Sequence, residues 1–480
     1  MLQSAQMLAR YGIACPDVTI KTFTLSWIRQ RSILFLLCSL FLNWVLLYQG
    51  MAYDVTLTAP GTLRWLFFDL NSYFASVEQQ DNPDLRGKPI AVVPSMTDAT
   101  CAIAASYEAK AYGIKTGTRI YEAKKMCPHL ICVSARHDVY VAYHNRIFDE
   151  VERHLPVEKR CSIDEGACRL MRNERDPDQA VAIAKQIKQG LAANIGPALR
   201  CSIGIAQNMF LAKVASDMQK PDGLVVLSPN AYKHRLFAME LREFCGIGEN
   251  MQCRLNRAGI HTVAQLWHAE PKHVRKIWGG VAGEVFWYRL HGHDIPDKPT
   301  QKRVVGHSRV LDPALRQSDK AYLIAKQLTV KACTRLRRYN LYARKFSASV
   351  RTVGRKGERG LTWANETSFA ASQDNFVVLQ ALERFWEQMQ HDTRKAPLLK
   401  VSVTLHDLYE RQATTLDLFD SPERSHRKAH DIRLSQAMDS LNRRFGAQTV
   451  TLGLYPKTAA GYVGTKIAFS RVPEKDEFYV

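Results

Sequence analysis

The hydrophobic pattern of the chain alternates between apolar runs and segments with helical spacing. Residues 63–69 form a nearly continuous apolar run that ends on Asp69, which predicts a strand with both sheet faces covered. Two further strands are predicted over residues 160–170 and 199–207, with amphipathic helices between them. Strands mixed with helices in this way predict an α+β protein.

A second repeating pattern occupies the later part of the chain. It predicts, in order, a strand (304–311), a helix (319–338), two strands (341–353 and 360–370), a helix (374–390) and a strand (398–408). The order β-α-β-β-α-β is typical of a four-stranded sheet covered by two helices.

The strand at 341–353 alternates between two kinds of face. One predicted face carries Tyr342, Arg344, Phe346, Ala348 and Val350, and the other carries Ala343, Lys345, Ser347, Ser349 and Arg351. The second face is polar enough to lie on a nucleic-acid backbone.

The chain is strongly basic. It has 66 Lys and Arg residues against 46 Asp and Glu residues, which leaves a net charge of +20 on 480 residues. Polyanions are therefore the favoured partners. Residues 301–360 hold 16 Lys and Arg residues but only Asp312, Asp319 and Glu358 as acids. A solvated basic face is one explanation, and contact with phosphates is the other. A chain of this length also predicts several domains.

The cysteines and one apolar segment bear on where in the cell the protein is found. The eleven cysteines include no CxxC pair, which indicates a reduced, cytoplasmic protein without structural zinc. The apolar segment 33–48 follows basic residues and is slightly short for a membrane span. We expect residues 1–50 to be an upstream extension from a misassigned start, with the working protein beginning near Met51. A membrane anchor is the alternative.

Three carboxylates occupy predicted strands, where an isolated charge is costly to bury. Asp69 ends the first strand, and Asp164 and Glu165 lie together on the strand at 160–170. If they converge, they could hold two Mg²⁺ ions, which suits phosphoryl or nucleotidyl transfer. A regular pleat sends Asp164 and Glu165 to opposite faces, so a shared site needs a strand end or bulge. Ion pairs with Lys and Arg remain an alternative.

Seven blocks in this sequence, in order, resemble the Y-family DNA polymerases, the translesion enzymes of the DinB and UmuC type. The blocks are FFDLNSYFASVEQ, NPDLRGKPIAVV, SYEAKAYGIKTG, CSIDEG, SIGIAQNMFLAKVASDMQKPDG, CGIGENMQCRLNRAGIHTVAQL and VVGHSRVL. The resemblance covers about residues 63–410. Some blocks lean toward UmuC and others toward DinB, which leaves the subfamily open.

The resemblance implies an α+β multidomain fold shaped like a right hand. It has a ferredoxin-like palm, small fingers, a helical thumb with a helix-hairpin-helix, and a β-α-β-β-α-β little finger. The implied division is an N-terminal extension (1–60), palm (61–72 and 136–222), fingers (73–135), thumb (223–298), little finger (301–411) and C-terminal tail (412–480).

The resemblance also implies the catalytic groups. Asp69, Asp164 and Glu165, with the backbone carbonyl of Leu70, are expected to bind two Mg²⁺ ions. Phe74 matches the steric gate, an aromatic ring that leaves no room for the 2′-hydroxyl of a ribonucleotide. An ordinary core position on a helix is the alternative for Phe74.

Other implied contacts involve phosphate and partner proteins. Tyr107, Lys110 and Lys213 are expected to hold the triphosphate of a dNTP. Gly246, Gly248, Arg344 and Lys345 are expected to contact primer-template DNA. The tail motif TLDLF is expected to bind a sliding clamp through Leu416, Leu418 and Phe419. Packing of this motif on the little finger is the alternative, and we expect a monomeric core.

Four positions depart from the family pattern. Lys110 replaces the more frequent arginine, which removes bidentate phosphate binding. Cys245 replaces a proline before Gly246, and Thr415 stands where the clamp motif has glutamine. Gly166 replaces an alanine, from which we expect a looser hairpin beside Glu165.

These features predict an error-prone, template-directed DNA polymerase that acts in translesion synthesis and DNA repair. Some relatives act instead as clamp-bound adaptors in mutagenesis complexes after losing their metal ligands, and a catalytically weak adaptor is the first alternative. A nucleotide cyclase, which also uses carboxylates and two metals, is the second. It would need neither a thumb that grips duplex DNA nor a basic C-terminal domain.

Overall fold

The computed structural model describes residues 61–297, 301–354, 358–410, 422–446, 449–453 and 472–473. The chain divides into two compact units, residues 1–57 and 58–480, and the first lies outside the described residues, as does the apolar segment 33–48. Among the helices that are described, none has the length and apolar character needed to cross a membrane.

The strands of the described part, in chain order, are β1 Trp65–Leu70, β2 Ile90–Val93, β3 Ala104–Ala105, β4 Ile131–Ser134, β5 Val157–Arg160, β6 Glu165–Arg169, β7 Cys201–Ala206, β8 Leu224–Val226, β9 Val304–Val310, β10 Leu341–Thr352, β11 Thr362–Ser372 and β12 Leu398–Glu410. The helices are α1 Tyr73–Asp81, α2 Tyr107–Ala111, α3 Ile120–Met126, α4 His137–Glu152, α5 Pro177–Gly190, α6 Met209–Met218, α7 Tyr232–Phe237, α8 Glu249–Arg257, α9 Val263–His268, α10 Pro271–Trp278, α11 Val281–Leu290, α12 Ser318–Arg338, α13 Asn375–Asp392 and α14 Pro422–Phe445.

A five-stranded sheet of order β5-β6-β1-β7-β8 has β1 at its centre. All six residues of β1 are buried, which confirms the strand predicted from the apolar run. Leu66 and Phe68 pack in the hydrophobic cluster on one face, and Trp65 and Phe67 pack in the cluster on the other. Because the pleat alternates, Asp69 shares the face of Phe67.

Besides the central sheet, this part of the chain has two smaller regions. A three-stranded sheet of order β3-β2-β4 has its own small core around Ile114 and Ile120. The short helices α7 to α11 pack on the second face of the central sheet, in the same cluster as Trp65. In the turn before α8, Gly246 has a φ of +95°, a left-handed conformation that favours glycine.

The later part of the chain forms a four-stranded antiparallel sheet of order β11-β10-β12-β9, with α12 and α13 packed on one face. Its elements follow the predicted order β-α-β-β-α-β. The architecture as a whole is mixed α and β with several sheets. Helix α14 packs against α12 and α13, where the guanidinium of Arg337 donates to Asp439 at 2.6 Å.

The predicted alternation of β10 is wrong at its start. The pairing of β10 with β11 shifts between Ala343 and Lys345, in a β-bulge where Arg344 of β10 faces three residues of β11, 369–371. Ala343 is therefore fully buried in the same core as Phe346, whereas the alternation placed them on opposite faces. A bulge inverts the side-chain pattern on one side of it, and the residue sequence carries no clear signal of the bulge.

Candidate active site

The pairing of β1 with β6 brings two of the three predicted carboxylates together. Asp69 is the direct cross-strand partner of Glu165. Asp164 lies in the bend before β6, and its carbonyl accepts a hydrogen bond of 2.9 Å from the N–H of Leu70. Asp164 was expected on the strand itself, but it precedes the strand. Because Asp164 lies before the regular strand, the alternation of the pleat does not force its side chain onto the face opposite Glu165.

Helix α6 positions a lysine beside these carboxylates. The side chain of Asn208 caps the helix by accepting from the N–H of Leu211 at 2.8 Å. One turn later, the ammonium of Lys213 donates to Asp69 Oδ2 and to Glu165 Oε1.

A second lysine completes the cluster, and the sequence analysis missed it. Lys220 Nζ lies 2.7 Å from Asp69 Oδ2 and 2.7 Å from Asp217 Oδ1. Asp217 also lies 3.3 Å from the ammonium of Lys213. The signal was available, since Asp217 is four residues after Lys213 and three before Lys220, the spacing of ion pairs on a helix.

The electrostatics of the site reflect four carboxyl groups around two ammonium groups. Burial favours a raised pKa for Asp69, but Lys213 and Lys220 hold that pKa below its usual value. Burial raises the pKa of Asp164. Burial also raises the pKa of Glu165 to about 7, although Lys213 opposes the shift. The cluster therefore holds more acidic groups than its own cations neutralise, which favours a further cation.

The carboxylates of this cluster are candidate ligands for Mg²⁺. Across the described residues, no group of three or more His, Cys, Asp or Glu side chains is arranged closely enough to hold a metal ion. The Lys213 ammonium bridges Asp69 and Glu165 and is the cation at that position. Carboxylate oxygens are the hard ligands that Mg²⁺ prefers, and these already bind a cation. Asp69, Asp164 and Glu165 thus offer the type of donor that Mg²⁺ prefers, while Lys213 occupies the position between Asp69 and Glu165.

Tyr107 and Lys110 lie near the same cluster. Both belong to α2, which Ser106 caps by accepting from the N–H of Ala109. The ammonium of Lys110 lies 4.3 Å from the centre of the Tyr107 ring. Burial lowers the pKa of Lys110, and the nearby charge of Lys220 lowers it further. Burial raises the pKa of Tyr107, with Lys220 opposing and the charge of Asp69 adding to the shift.

The other predicted residues lie in separate places. Phe74 is in the first turn of α1 and is half-buried against the core. Gly248 is the residue before α8, in the turn that also contains Gly246. The guanidinium of Arg344 lies 4.0 Å from the centre of the Tyr409 ring. Lys345 Nζ lies 2.8 Å from Glu366 Oε1 on the neighbouring strand. Leu416, Leu418 and Phe419 lie outside the described residues.

Gly166 is tightly packed, so the expected loosening of the hairpin is wrong. It lies opposite Phe68, and a Cβ on Gly166 would lie 2.4 Å from the Phe68 ring and 3.0 Å from the Phe148 ring. These rings pack edge to face with centroids 5.1 Å apart, and both are fully buried. The space that an alanine methyl would need is filled by the Phe68 ring.

We expect Gly166→Ala to lower the free energy of unfolding by about 1–3 kcal/mol, the usual cost of overpacking a core. Urea unfolding followed by circular dichroism measures the change. Phe68→Leu in the Gly166→Ala background should recover part of the loss, because it removes the clashing ring. Equal stability of Gly166→Ala and wild type would contradict this packing.

Comparison with known proteins gives a consistent result. Residues 68–217 match the impB/mucB/samB family and residues 302–418 match the C-terminal domain of that family. DNA polymerase IV 1 of Bacillus subtilis (strain 168) is 30% identical over 402 residues, which cover 82% of this chain and 94% of the relative. DNA polymerase IV of Moorella thermoacetica is 31% identical over 400 residues, covering 80% and 94%.

A solved structure shows the same fold. The Y-family DNA polymerase chimera Dbh-Dpo4(243-245)-Dbh superposes with a TM-score of 0.62 at 22% identity, covering 72% of this chain and all of that one. Identity of 30% or more over nearly the whole length of two relatives shows more than a fold. The chain belongs to the impB/mucB/samB family, the Y-family DNA polymerases of the DinB and UmuC type.

Proposed function

We propose that this protein is a DNA-directed DNA polymerase that adds dNTPs to a primer 3′ end and copies damaged templates during DNA repair. The observation that carries the proposal is the pairing of Asp69 with Glu165 across β1 and β6, beside Asp164 and around the ammonium of Lys213. Family membership supports the reaction class, and the polymerase names of the relatives support the activity.

Asp69, Asp164, Glu165 and the carbonyl of Leu70 would hold two Mg²⁺ ions. Bound there, Mg²⁺ supplies activation of the primer hydroxyl and neutralisation of charge on the triphosphate. Asp69 is 5% exposed, and the ammonium groups of Lys213 and Lys220 hold its Oδ2 in place. Burial raises the pKa values of Asp164 and Glu165, and a cation bound beside them would favour their ionised forms.

The cations around this cluster suit a triphosphate. Tyr107, Lys110 and Lys213 would donate hydrogen bonds to phosphate oxygens, and we add Lys220 to this set. The charges of Lys220 and Lys110 lie close enough to lower the pKa of Lys110, a repulsion that a bound polyanion would relieve.

The open face of the C-terminal sheet suits a DNA backbone. Arg351 on β10 and Lys400 on β12 are direct cross-strand partners, and like charges in such a pair repel. Lys345 lies about 20 Å from Arg351 along the same strand, at about 3.3 Å per residue. Between these cations the open face carries small hydroxyl side chains, namely Ser347, Ser349, Ser402 and Thr404. Cations at both ends of a surface of hydroxyl groups fit a run of phosphates, for which Lys345 would exchange its ion pair with Glu366.

Removing both Arg351 and Lys400, as a double serine variant, should weaken binding to primer-template DNA. The slope of log K against log salt should fall by about 2, because each phosphate contact contributes about 0.9. Fluorescence anisotropy between low and moderate salt measures both quantities. A matched control replaces Lys320 and Arg384, which are exposed on the helical side of the same domain. Equal slopes for the two double variants would refute this DNA-binding face.

Gly246 and Gly248 would bind the duplex backbone through the N–H groups of their turn, and Arg344 would add a phosphate contact from the bulge. The motif around Leu416, Leu418 and Phe419 would bind a sliding clamp. We propose a monomeric core for the polymerase.

Primer extension with Mg²⁺ on damaged and undamaged templates tests the proposal. We expect extension opposite undamaged bases and across at least one lesion, dependent on a primed template. A protein that binds primer-template DNA and adds no dNTP would instead be the adaptor.

A further inference from the structure

The ring of Phe74 lies beside three other aromatic rings. Tyr140 of α4 stacks on it with ring centroids 4.4 Å apart and an interplanar angle of 13°. His137 packs its edge against the Phe74 ring, with centroids 6.2 Å apart at 86°. Tyr73 lies 5.7 Å away at a tilt of 48°. The Tyr140 ring therefore backs one whole face of Phe74.

Tyr140 is itself fixed by a network of charged groups that is buried at Glu78 and partly exposed at Arg136. Its ring is fully buried, and its hydroxyl donates to Glu78 Oε1 at 2.7 Å. Glu78 is 3% exposed and accepts three further bonds from Arg136, from Nε to its two oxygens at 3.1 and 3.2 Å and from a terminal nitrogen at 2.7 Å. The same guanidinium reaches Asp81 Oδ2 at 2.9 Å.

The Tyr140 backbone is held as well, because its carbonyl accepts a bond of 2.6 Å from the Tyr73 hydroxyl. Apolar packing of this ring would need none of these groups, and burying the Glu78 carboxylate is costly unless it is paired. What the network provides is a fixed position and plane for one ring. The ring in question is the one that contacts Phe74.

We propose that Tyr140, anchored by Glu78 and Arg136, is a positioning residue for Phe74 and sets how strongly the polymerase rejects ribonucleotides. This inference rests on the proposed function. A steric gate discriminates only if its ring cannot move aside, because a shift of about 1 Å makes room for a hydroxyl. A deoxyribonucleotide does not press on the ring, so loss of the backing affects mainly ribonucleotides.

The test is single-nucleotide insertion with paired dNTP and rNTP substrates. Tyr140→Leu removes the flat backing and should lower the ratio of kcat/KM for dNTP over rNTP by about 10-fold, the upper value of an aromatic stack. Tyr140→Phe keeps the ring and loses the bond to Glu78, so its ratio should fall by about 3-fold or less. Both substrates are measured on one preparation, so any misfolded fraction cancels from the ratio.

Tyr143→Leu is the matched control. Tyr143 lies on the same helix and donates to Asp81 Oδ1 at 2.6 Å, and its substitution should leave the ratio unchanged. In the Phe74→Ala background, Tyr140→Leu should lower the ratio no further, because the ring that it positions is gone.

Equal losses of dNTP and rNTP use in Tyr140→Leu would show a merely structural role and overturn the inference. Additive effects in the double variant would also overturn it. A wild-type protein that extends no primer would refute the proposed polymerase instead. An unchanged ratio in Phe74→Ala would refute the gate assignment, and either result removes the basis of this inference.

Discussion

Replacement of Asp164 by alanine should lower the rate of dNTP incorporation by about 10³-fold or more while leaving DNA affinity unchanged. A metal-binding carboxylate contributes several kcal/mol to stabilising a phosphoryl transition state, and about 4 kcal/mol corresponds to that factor. DNA affinity should persist because the proposed DNA contacts lie on the C-terminal sheet and in the turn at Gly246. Single-turnover primer extension measures the rate, and fluorescence anisotropy measures the affinity.

Stability separates a catalytic role of Asp164 from a structural one. Burial raises the pKa of this carboxyl, so its charged form is costly in the folded state. Its carboxylate accepts a bond of 2.5 Å from the Ser162 hydroxyl, and its backbone carbonyl bond to Leu70 survives substitution. Asp164→Ala should therefore unfold at a temperature equal to or above that of the wild type. A residue kept only for stability would give the opposite result.

Asp149→Ala is the matched control for Asp164→Ala, since Asp149 is an exposed carboxylate on the neighbouring helix α4. It should retain wild-type extension. Wild-type extension by Asp164→Ala would refute the carboxylate assignment. A wild type that is as inactive as Asp164→Ala, with DNA binding intact, would favour the adaptor.

Strong local patterns made much of the fold predictable. The run that ends on Asp69 predicted β1 because continuous apolar residues require two covered faces, and both faces of β1 are covered. The alternation from residue 304 to 410 predicted every strand and helix of the C-terminal sheet, with bounds shifted by about two residues, as is usual for helix ends. Periodicity is a local property, and these elements depend on it.

Features that depend on contacts between distant segments could not be predicted in this way. The bulge at Arg344 depends on how β11 pairs with β10, and the crowding of Gly166 depends on the Phe68 ring opposite. At the site, the sequence pointed to Asp69 and Glu165 separately, but their facing register depends on the β1–β6 pairing. The spacing of Lys220 from Asp217 is a local signal, but its ion pair with Asp69 joins segments far apart in sequence and could not be predicted.

Substitution of Phe74 by alanine should lower discrimination against ribonucleotides by about 10²-fold, with little loss of dNTP use. Forcing an extra heavy atom into a packed site costs up to about 3 kcal/mol, which corresponds to about that factor in rate. Removing the ring removes this cost only for the sugar that carries the extra hydroxyl. The ratio of kcat/KM for dNTP over rNTP, measured opposite one template base, reports the change.

Two variants test whether the ring itself carries this discrimination. Phe74→Tyr keeps an aromatic ring at the position and should stay close to wild type. Tyr143→Phe removes a hydroxyl that donates to Asp81 and leaves the Phe74 and Tyr140 rings in place, so its ratio should also be unchanged. If Phe74→Ala keeps the wild-type ratio, Phe74 is an ordinary core residue of α1. In that case the stacked Tyr140 ring only fills space between α1 and α4, and sugar selection must depend on other groups near Tyr107.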